Sequence, residues 1–235
     1  MDTLNVDNII SLFNDNSGFI SVVLFLLTVL IGWISGIFKS LLGVPKLKIE
    51  LLEGPTICSS FETSEMYNNY SVHKTAIALY LQISNIGKTA TSIKDVSVAY
   101  HNYSPKYTFF WFWLDKEIVS FDDYRINFGD KIKVFPFLKQ SNSMIPSSDL
   151  DYLPIGQCIN GITYFEQEKS WGGFLPRIKN NKIHIKVRVI DTFGKKFTNK
   201  FWIPVLDIQE ARKFNPSFGQ SRDYLEKTDL KPRDI

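Results

Sequence analysis

Residues 77–100 read IALYLQISNIGKTATSIKDVSVAY, in which two runs of alternating apolar side chains flank a polar turn. A period of two places successive side chains on opposite faces of an extended chain, so each run predicts a β-strand. The turn Asn85-Ile86-Gly87-Lys88 supplies residues that tolerate a positive φ. We therefore expect two strands joined by a short connection, in a domain built mainly from strands.

The same period recurs on both sides of this segment. Residues 45–51, PKLKIEL, alternate in the same way, and further strands are predicted at residues 107–114, 161–167, 182–190 and 196–205. The last two flank Asp191-Thr192-Phe193-Gly194, a short loop that ends in glycine and predicts a hairpin. Short strands separated by turn residues favour an antiparallel sandwich or barrel.

The order of these segments and the phrase at residues 77–100 resemble immunoglobulin-like or fibronectin-like sandwiches of membrane-anchored bacterial envelope and surface proteins. In those domains a strand that ends in N-x-G is followed by a second alternating run. The resemblance covers residues 45–206 and implies an immunoglobulin-like β-sandwich. The chain lacks the Cys…Trp…Cys set of antibody domains, and a likeness of this kind implies a fold class without an activity.

A second decisive stretch precedes the strands. Residues 19–38, FISVVLFLLTVLIGWISGIF, are uncharged, and 14 of the 20 are Leu, Ile, Val or Phe. A bilayer core of about 30 Å requires roughly 20 such residues in a helix, so we expect a transmembrane helix over residues 18–40. The alternatives are a buried core helix and a cleavable signal peptide. Residues 1–17 form a short acidic tail without the basic start that a signal peptide needs.

The flanks of this span predict its orientation. Lys39, Lys46 and Lys48 follow it, and no Lys or Arg precedes it. Positive residues near a span are retained in the cytoplasm, so we expect a single-pass protein of the cell membrane with its N-terminus outside and its C-terminal domain cytoplasmic. Cys58 and Cys158 are too sparse for a disulfide framework, although they would suit one bridge in the opposite orientation.

Small residues recur at every fourth position of the span. This stripe lets two helices approach closely, so it predicts a homo-oligomer formed through the helix. The alternative is that glycine is simply common in membrane helices. The residues of the predicted helix-association stripe are Thr28, Gly32, Gly36 and Ser40.

Basic charge is concentrated near the C-terminus, where residues 169–235 hold 15 Lys or Arg against 7 Asp or Glu. The predicted hairpin contributes six of these Lys and Arg residues, and a basic face formed by it could bind anionic lipid headgroups or an acidic protein. The alternative is an ordinary solvated sheet face. Nucleic acid is not expected as a partner, because no reading motif accompanies the charge. The basic residues are Lys182, His184, Lys186, Arg188, Lys195, Lys196 and Lys200.

Residues 107–114, YTFFWFWL, are the most aromatic stretch outside the span. A strand with bulky side chains on both faces must cover both. It is either a strand packed within the core or a surface that contacts lipid or protein, in which case Trp111 and Trp113 are the candidate interface residues.

The sequence contains no local catalytic motif: no H-E-x-x-H, G-x-S-x-G, Gly-rich phosphate loop or C-x-x-C is present. We therefore expect neither an enzyme nor a cofactor. Asp122, Asp123, Asp149 and Asp151 could supply carboxylates to a metal, but their spacing does not pair them, and acidic residues in a polar loop are more often simply solvated. A hydrolase with its site in the turn-rich region 120–154 stays open. Residues 207–235 are predicted to form a polar tail with a brief helix near 208–214.

Two functions are compatible with these features. The first is a membrane-tethered β-sandwich that acts as a binding or scaffolding module at the cytoplasmic membrane surface, with lipids, another protein and a second copy as expected partners. The alternative is a membrane-acting effector or signalling subunit of a bacterial defence or stress system, in which the sandwich senses a ligand or partner.

Overall fold

A computed structural model describes residues 15–35, 43–102, 110–114, 120, 122–139 and 152–220. The chain divides into two units, Met1–Val44 and Pro45–Ile235. The first contains helix α1 (Ser17–Ile34), and the second contains the strands, a 3-10 turn at Gly172–Phe174 and a short helix α2 (Ile208–Arg212). The described strands are β1 (Leu47–Leu51), β2 (Ile57–Tyr67), β3 (Tyr70–Asn85), β4 (Thr91–Tyr100), β5 (Phe112–Leu114), β6 (Tyr124–Phe128), β7 (Lys131–Phe135), β8 (Tyr152–Leu153), β9 (Cys158–Trp171), β10 (Ile178–Lys179), β11 (Lys182–Asp191) and β12 (Lys196–Pro204).

Helix α1 is long and apolar enough to cross a membrane, with 18 residues and a mean hydropathy of 2.4. Only 6 % of this span is buried, whereas the core helix of a soluble protein is mostly buried. Its polar side chains turn back onto its own backbone: the Thr28 hydroxyl donates to the Leu24 carbonyl at 2.8 Å. The predicted span extends to residue 40, and its last residues, 36–40, lie outside the described part of the chain.

The strands form antiparallel sheets, which confirms the predicted fold class of a mainly β protein with one N-terminal apolar helix. In the four-stranded sheet, β3 lies between β9 on one edge and β1 and β2 on the other. In the six-stranded sheet, β11 lies between β12 and β4. Strands β5 and β8 both pair with β4, and β10 pairs with the start of β11. Strands β6 and β7 form a separate two-stranded ribbon.

The two larger sheets face each other across one hydrophobic core. The four-stranded sheet contributes Ile77, Leu79 and Leu81 from β3, and the six-stranded sheet contributes alternate residues of β4 and β11. At one side the sheets are joined by hydrogen bonds, because the Asn199 amide donates to the Ile49 carbonyl at 2.9 Å and the Leu206 N–H donates to the Cys58 carbonyl at 2.9 Å. The architecture is therefore a β-sandwich.

A second core covers the other face of the four-stranded sheet. Ala76, Ala78 and Tyr80 of β3 face it, and the ribbon and the C-terminal segment close over it. Phe218 is fully buried in this core, and the Gly219 N–H donates to the Tyr164 hydroxyl at 2.8 Å. Residues 207–220 thus belong to the packed domain, whereas the sequence placed the start of a polar tail at residue 207.

Three predictions about the strands can now be compared with the structure. The hairpin formed by β11 and β12 and the short helix after residue 207 are confirmed. The two strands predicted within residues 77–100 and their short connection are also present, but β3 and β4 do not pair with each other and lie in different sheets. The buried Asn85 redirects the chain: its amide donates to the Thr89 and Leu153 carbonyls, at 2.9 and 3.1 Å, which ties the end of β3 to the start of the opposite sheet.

Close approach of two backbone segments requires glycine at position 161 of β9. A Cβ at this position would lie 2.4 Å from the Leu138 Cα and 2.5 Å from its nitrogen. The contact is fixed from both sides, since the Leu138 N–H donates to the Ile162 carbonyl at 2.9 Å and the Ile162 N–H donates to the Pro136 carbonyl at 2.7 Å.

We expect Gly161→Ala to lower the free energy of unfolding by about 1–3 kcal/mol, because the Leu138 backbone must move to admit the methyl group. Thermal or denaturant unfolding of the full-length protein measures the effect. Asn160→Ala, at the exposed neighbouring position of the same strand, is the matched control. Equal stability of the two variants would contradict the close approach.

Candidate functional site

The outer face of the six-stranded sheet carries the predicted basic side chains of β11. Ile183, Ile185, Val187 and Val189 are fully buried in the core between the sheets. His184, Lys186 and Arg188 alternate with them and are partly exposed on the opposite face. The predicted alternation of this strand is therefore confirmed, because each inward residue is anchored in the core and turns its neighbours outward.

The predicted interface aromatics lie on this same face. Strand β5 pairs with β4 in a register that places Trp113 opposite Ala99. The outward residues of β4 next to β11 are small: Ala99 lies opposite Lys186 and Ser97 lies opposite Arg188. Because these short side chains leave room above β4, the indole rings of Trp111 and Trp113 can reach across it to the cations of β11.

The contacts between rings and cations are close. The Arg188 guanidinium carbon lies 4.1 Å from the centre of the Trp113 ring, and the Lys186 ammonium lies 5.9 and 5.8 Å from the Trp111 and Trp113 rings. The Lys200 ammonium lies 5.6 Å from the Trp111 ring. Exposed contacts of this kind contribute about 0.5–1 kcal/mol each. We call Trp111, Trp113, Lys186, Arg188 and Lys200 the aromatic–basic face.

Arg188 is positioned from two sides. Its Nε donates to the Ser97 hydroxyl at 2.9 Å while its guanidinium lies over the Trp113 ring. A planar guanidinium can stack on an aromatic ring and donate hydrogen bonds in its own plane at the same time. Arg188 therefore holds the Trp113 ring against the sheet.

Two lysines of the face repel each other. Lys186 and Lys200 are directly opposite across the β11–β12 pair, an arrangement that destabilises an antiparallel sheet. Within the described residues neither forms an ion pair. The described carboxylate on this side of β4 is Asp95, which lies opposite Ile190 near the far end of the strand. Lys186 and Lys200 consequently present positive charge beside the aromatic rings without an acidic partner among the described residues.

The remaining predicted basic residues lie at the two ends of the hairpin. Lys195 is directed away from the face, because its ammonium donates to the Pro45 carbonyl at 3.1 Å and lies 5.3 Å from the Phe197 ring. Lys196 is exposed opposite Ile190. Lys182 is exposed at the other end of β11, where β10 begins to pair with it. The structure thus brings Lys186, Arg188 and Lys200 together but not the whole predicted set.

A cleft of about 320 Å³ opens at the end of the face near β10, lined by His101, Arg177, Lys179, His184 and Trp202. The His184 and Trp202 rings are stacked, with centroids 4.8 Å apart and an angle of 17° between their planes. His101 packs on Trp111, with ring centroids 3.9 Å apart. These contacts join the cleft to the aromatic–basic face.

Sequence reasoning missed four residues of this cleft: His101, Arg177, Lys179 and Trp202. Trp202 follows Lys200 by two positions in β12, so strand alternation alone would have placed it on the outer face. Arg177 and Lys179 reach the cleft because the turn Asn180-Asn181 folds β10 back onto the start of β11, and the two strands pair. No alternating run marks such a short strand, so this pairing left no comparable signal in the sequence.

The electrostatic environment of His184 is positive. Burial lowers the pKa of His184 below its ordinary value of about 6.5, and the nearby His101 and Lys200 lower it further. Each of these effects disfavours the imidazolium form. His184 is therefore neutral at neutral pH and stacks on Trp202 as an uncharged ring.

The predicted helix-association stripe is described only in part. Thr28 and Gly32 lie one turn apart in α1, whereas Gly36 and Ser40 lie outside the described residues. Self-association through this stripe stays a prediction.

The two cysteines are both free thiols. Cys58 is fully buried in the core between the sheets, and this burial raises the pKa of its thiol. Cys158 is exposed at the start of β9. The single bridge considered for the opposite orientation is thus not formed.

The carboxylates considered for a metal do not form a cluster of ligands in the described part of the chain. Asp122 accepts a hydrogen bond from the Ser217 hydroxyl, and Asp149 and Asp151 lie outside the described residues. Within the part of the chain that the structure describes, no group of three or more His, Cys, Asp or Glu side chains could hold a metal ion.

No protein-family model matches this sequence, and a search of curated proteins finds no match either.

Substituting Lys200 by methionine should raise the pKa of His184, because the change removes one of the positive charges that disfavour the imidazolium form. An NMR titration of the His184 ring protons measures the shift. Lys131→Met, on the two-stranded ribbon, removes the same charge and should leave the His184 pKa unchanged. A pKa that stays constant in Lys200→Met would contradict the assigned electrostatics.

Proposed function

We propose that this protein is a single-span membrane tether whose β-sandwich binds the anionic surface of the cytoplasmic leaflet through the aromatic–basic face, and so acts as a binding or scaffolding module there. The observation that carries the proposal is the convergence of two tryptophans with Lys186, Arg188 and Lys200 on one side of one sheet. Indole rings favour the interface between water and hydrocarbon, and lysine and arginine favour anionic headgroups.

The length of chain between helix and sandwich supports this placement. Helix α1 ends at Ile34 and β1 begins at Leu47. Even a fully extended chain of this length reaches only about 40 Å, so a span that crosses the bilayer keeps the sandwich near the leaflet. Each Lys or Arg near an anionic surface contributes roughly 1 kcal/mol to the free energy of membrane binding. A few cations therefore suffice to keep one face of a tethered domain against the leaflet.

The orientation is part of the proposal. Lys39, Lys46 and Lys48 follow the span in sequence, and the positive-inside rule places such residues in the cytoplasm. We also propose that the sandwich is immunoglobulin-like. The support is that two antiparallel sheets enclose one core and that the chain passes between them after β3, after β8 and after β9.

The lipid contact can be tested with the full-length protein in liposomes. Thr198 lies opposite Arg188 on the exposed outer side of β12, so an environment-sensitive fluorophore on Thr198→Cys in a Cys158→Ser background reports on this face. We expect its emission to rise and shift to the blue when phosphatidylserine is added to phosphatidylcholine, and to fall back at high salt. The same fluorophore on Asn160→Cys, on the four-stranded sheet, should not respond.

The charge dependence of this signal decides the assignment. Lys186→Gln with Lys200→Gln should abolish the response to phosphatidylserine, because the two lysines together contribute about 2 kcal/mol. Lys131→Gln with Lys133→Gln removes the same charge from the β6–β7 ribbon and should leave the response intact. An emission that ignores phosphatidylserine, or an equal loss in both double variants, would contradict the proposal.

Topology is tested independently of lipid binding. A membrane-impermeant maleimide should label Cys158 only after the cytoplasmic side of intact cells is opened. Cys158→Ser should remove the labelling, because Cys58 is fully buried and its thiol pKa is raised. Labelling of Cys158 from outside intact cells would reverse the orientation.

A further inference from the structure

Two neighbouring hollows meet at Trp202. One is the cleft of about 320 Å³ next to His101 and His184, and the other, of about 370 Å³, is lined by Lys179, Asn180, Lys182 and Trp202. Lys179 and Trp202 border both of them. Each is of the size that holds a small organic ligand, and together they join an aromatic surface to a group of cations.

The cations are held together by the β10–β11 hairpin. Asn180 and Asn181 have φ values of 51° and 53°, which is the conformation of a tight two-residue hairpin turn. The turn places Lys179 directly opposite Lys182, although like charges in this position destabilise a strand pair. The backbone of Arg177 is fixed nearby, since its backbone N–H donates to the His101 carbonyl at 2.8 Å.

These charges have no described acidic partner. Neither Lys179, Lys182 nor Arg177 forms an ion pair within the described residues. A hairpin that opposes two lysines next to an arginine, without carboxylates, matches a ligand with more than one negative charge. Phosphate groups meet this requirement, because lysine and arginine both donate charge-assisted hydrogen bonds to them.

Trp202 adds a flat apolar surface. Its ring stacks on His184, yet the residue is 51 % exposed. An exposed indole held by a stacked neighbour on one side can stack a planar ring on the other, which is how aromatic side chains bind bases without reading their sequence. The ring and the cations share the same two hollows, so one ligand can contact both.

We propose that the Trp202 cleft binds a nucleoside phosphate, with its base stacked on Trp202 and its phosphates bound by Lys179, Lys182 and Arg177. This site takes a soluble ligand and goes beyond the lipid contact of the aromatic–basic face. It uses cations from residues 177–182, whereas the proposed lipid contact uses Lys186, Arg188 and Lys200. Either proposal can fail while the other holds.

The test uses the full-length protein in nanodiscs of phosphatidylcholine, which lack anionic lipid. Calorimetric titrations with ADP, pyrophosphate and adenosine separate the contributions of base and phosphate. We expect ADP to bind at least about fivefold more tightly than pyrophosphate, since stacking of one base is worth about 1–3 kcal/mol. Adenosine should bind more weakly than ADP by at least about tenfold, because it lacks the charge-assisted hydrogen bonds.

Two variants assign the residues. Trp202→Leu should remove the advantage of ADP over pyrophosphate, and Lys179→Gln with Lys182→Gln should weaken both ligands. All three side chains are exposed, so unchanged thermal unfolding is expected and verifies the fold. The controls are Trp171→Leu, whose ring stacks on Tyr67 instead, and Lys131→Gln with Lys133→Gln. Both control proteins should bind ADP as the original chain does.

The outcomes that overturn the proposal are distinct. ADP that fails to bind at millimolar concentration, ADP that binds no better than pyrophosphate, or equal losses in the test and control lysine pairs would each contradict it. If the protein does not bind ADP in phosphatidylcholine discs, but Lys179 and Lys182 contribute to its binding of discs that contain phosphatidylserine, these lysines belong to the membrane-binding surface instead.

Discussion

The structure depends on the burial of one strand from both sides. In β3, Ile77, Leu79 and Leu81 face the core between the sheets, while Ala76, Ala78 and Tyr80 face the core beneath the ribbon and the C-terminal segment. The backbone of β3 is paired along both edges by β9, β1 and β2, so its polar groups are satisfied where no water reaches them. The described residues therefore cover both faces of the four-stranded sheet.

This constraint determines where the protein can present a binding surface. Described residues cover the four-stranded sheet on both sides, whereas Trp113, Lys186 and Arg188 on the outer face of the six-stranded sheet are partly exposed. On that face the small residues of β4 leave room for Trp111 and Trp113, and these rings lie against the cations of β11 and β12. Two pairs of lysines, Lys186 with Lys200 and Lys179 with Lys182, lie directly opposite each other and repel. A sheet face that needed only to be soluble would not require like charges in opposite positions.

Local patterns predicted the elements that depend on local physics. The alternation of residues 182–190 gave the correct faces of β11, the Gly194 loop predicted the hairpin, and the apolar run predicted helix α1. Partner choice was not accessible, because alternation indicates which side chains share a face but not which strand lies alongside. The assignment of β3 and β4 to different sheets depends on the buried Asn85, and the meeting of Trp113 with Arg188 depends on the pairing of β5 with β4. Phe218 was placed in a polar tail because a single aromatic residue carries no periodicity.

We propose that the outer face of the six-stranded sheet lies against the leaflet. Photo-crosslinking of the full-length protein in liposomes by a phosphatidylserine analogue with a headgroup diazirine, read by mass spectrometry, tests it most directly. We expect domain adducts concentrated on the outward residues of β11, β12 and β5, in addition to those on the flanks of helix α1. Domain adducts on the β6–β7 ribbon or on β9, or adducts confined to the helix and its flanks, would contradict it.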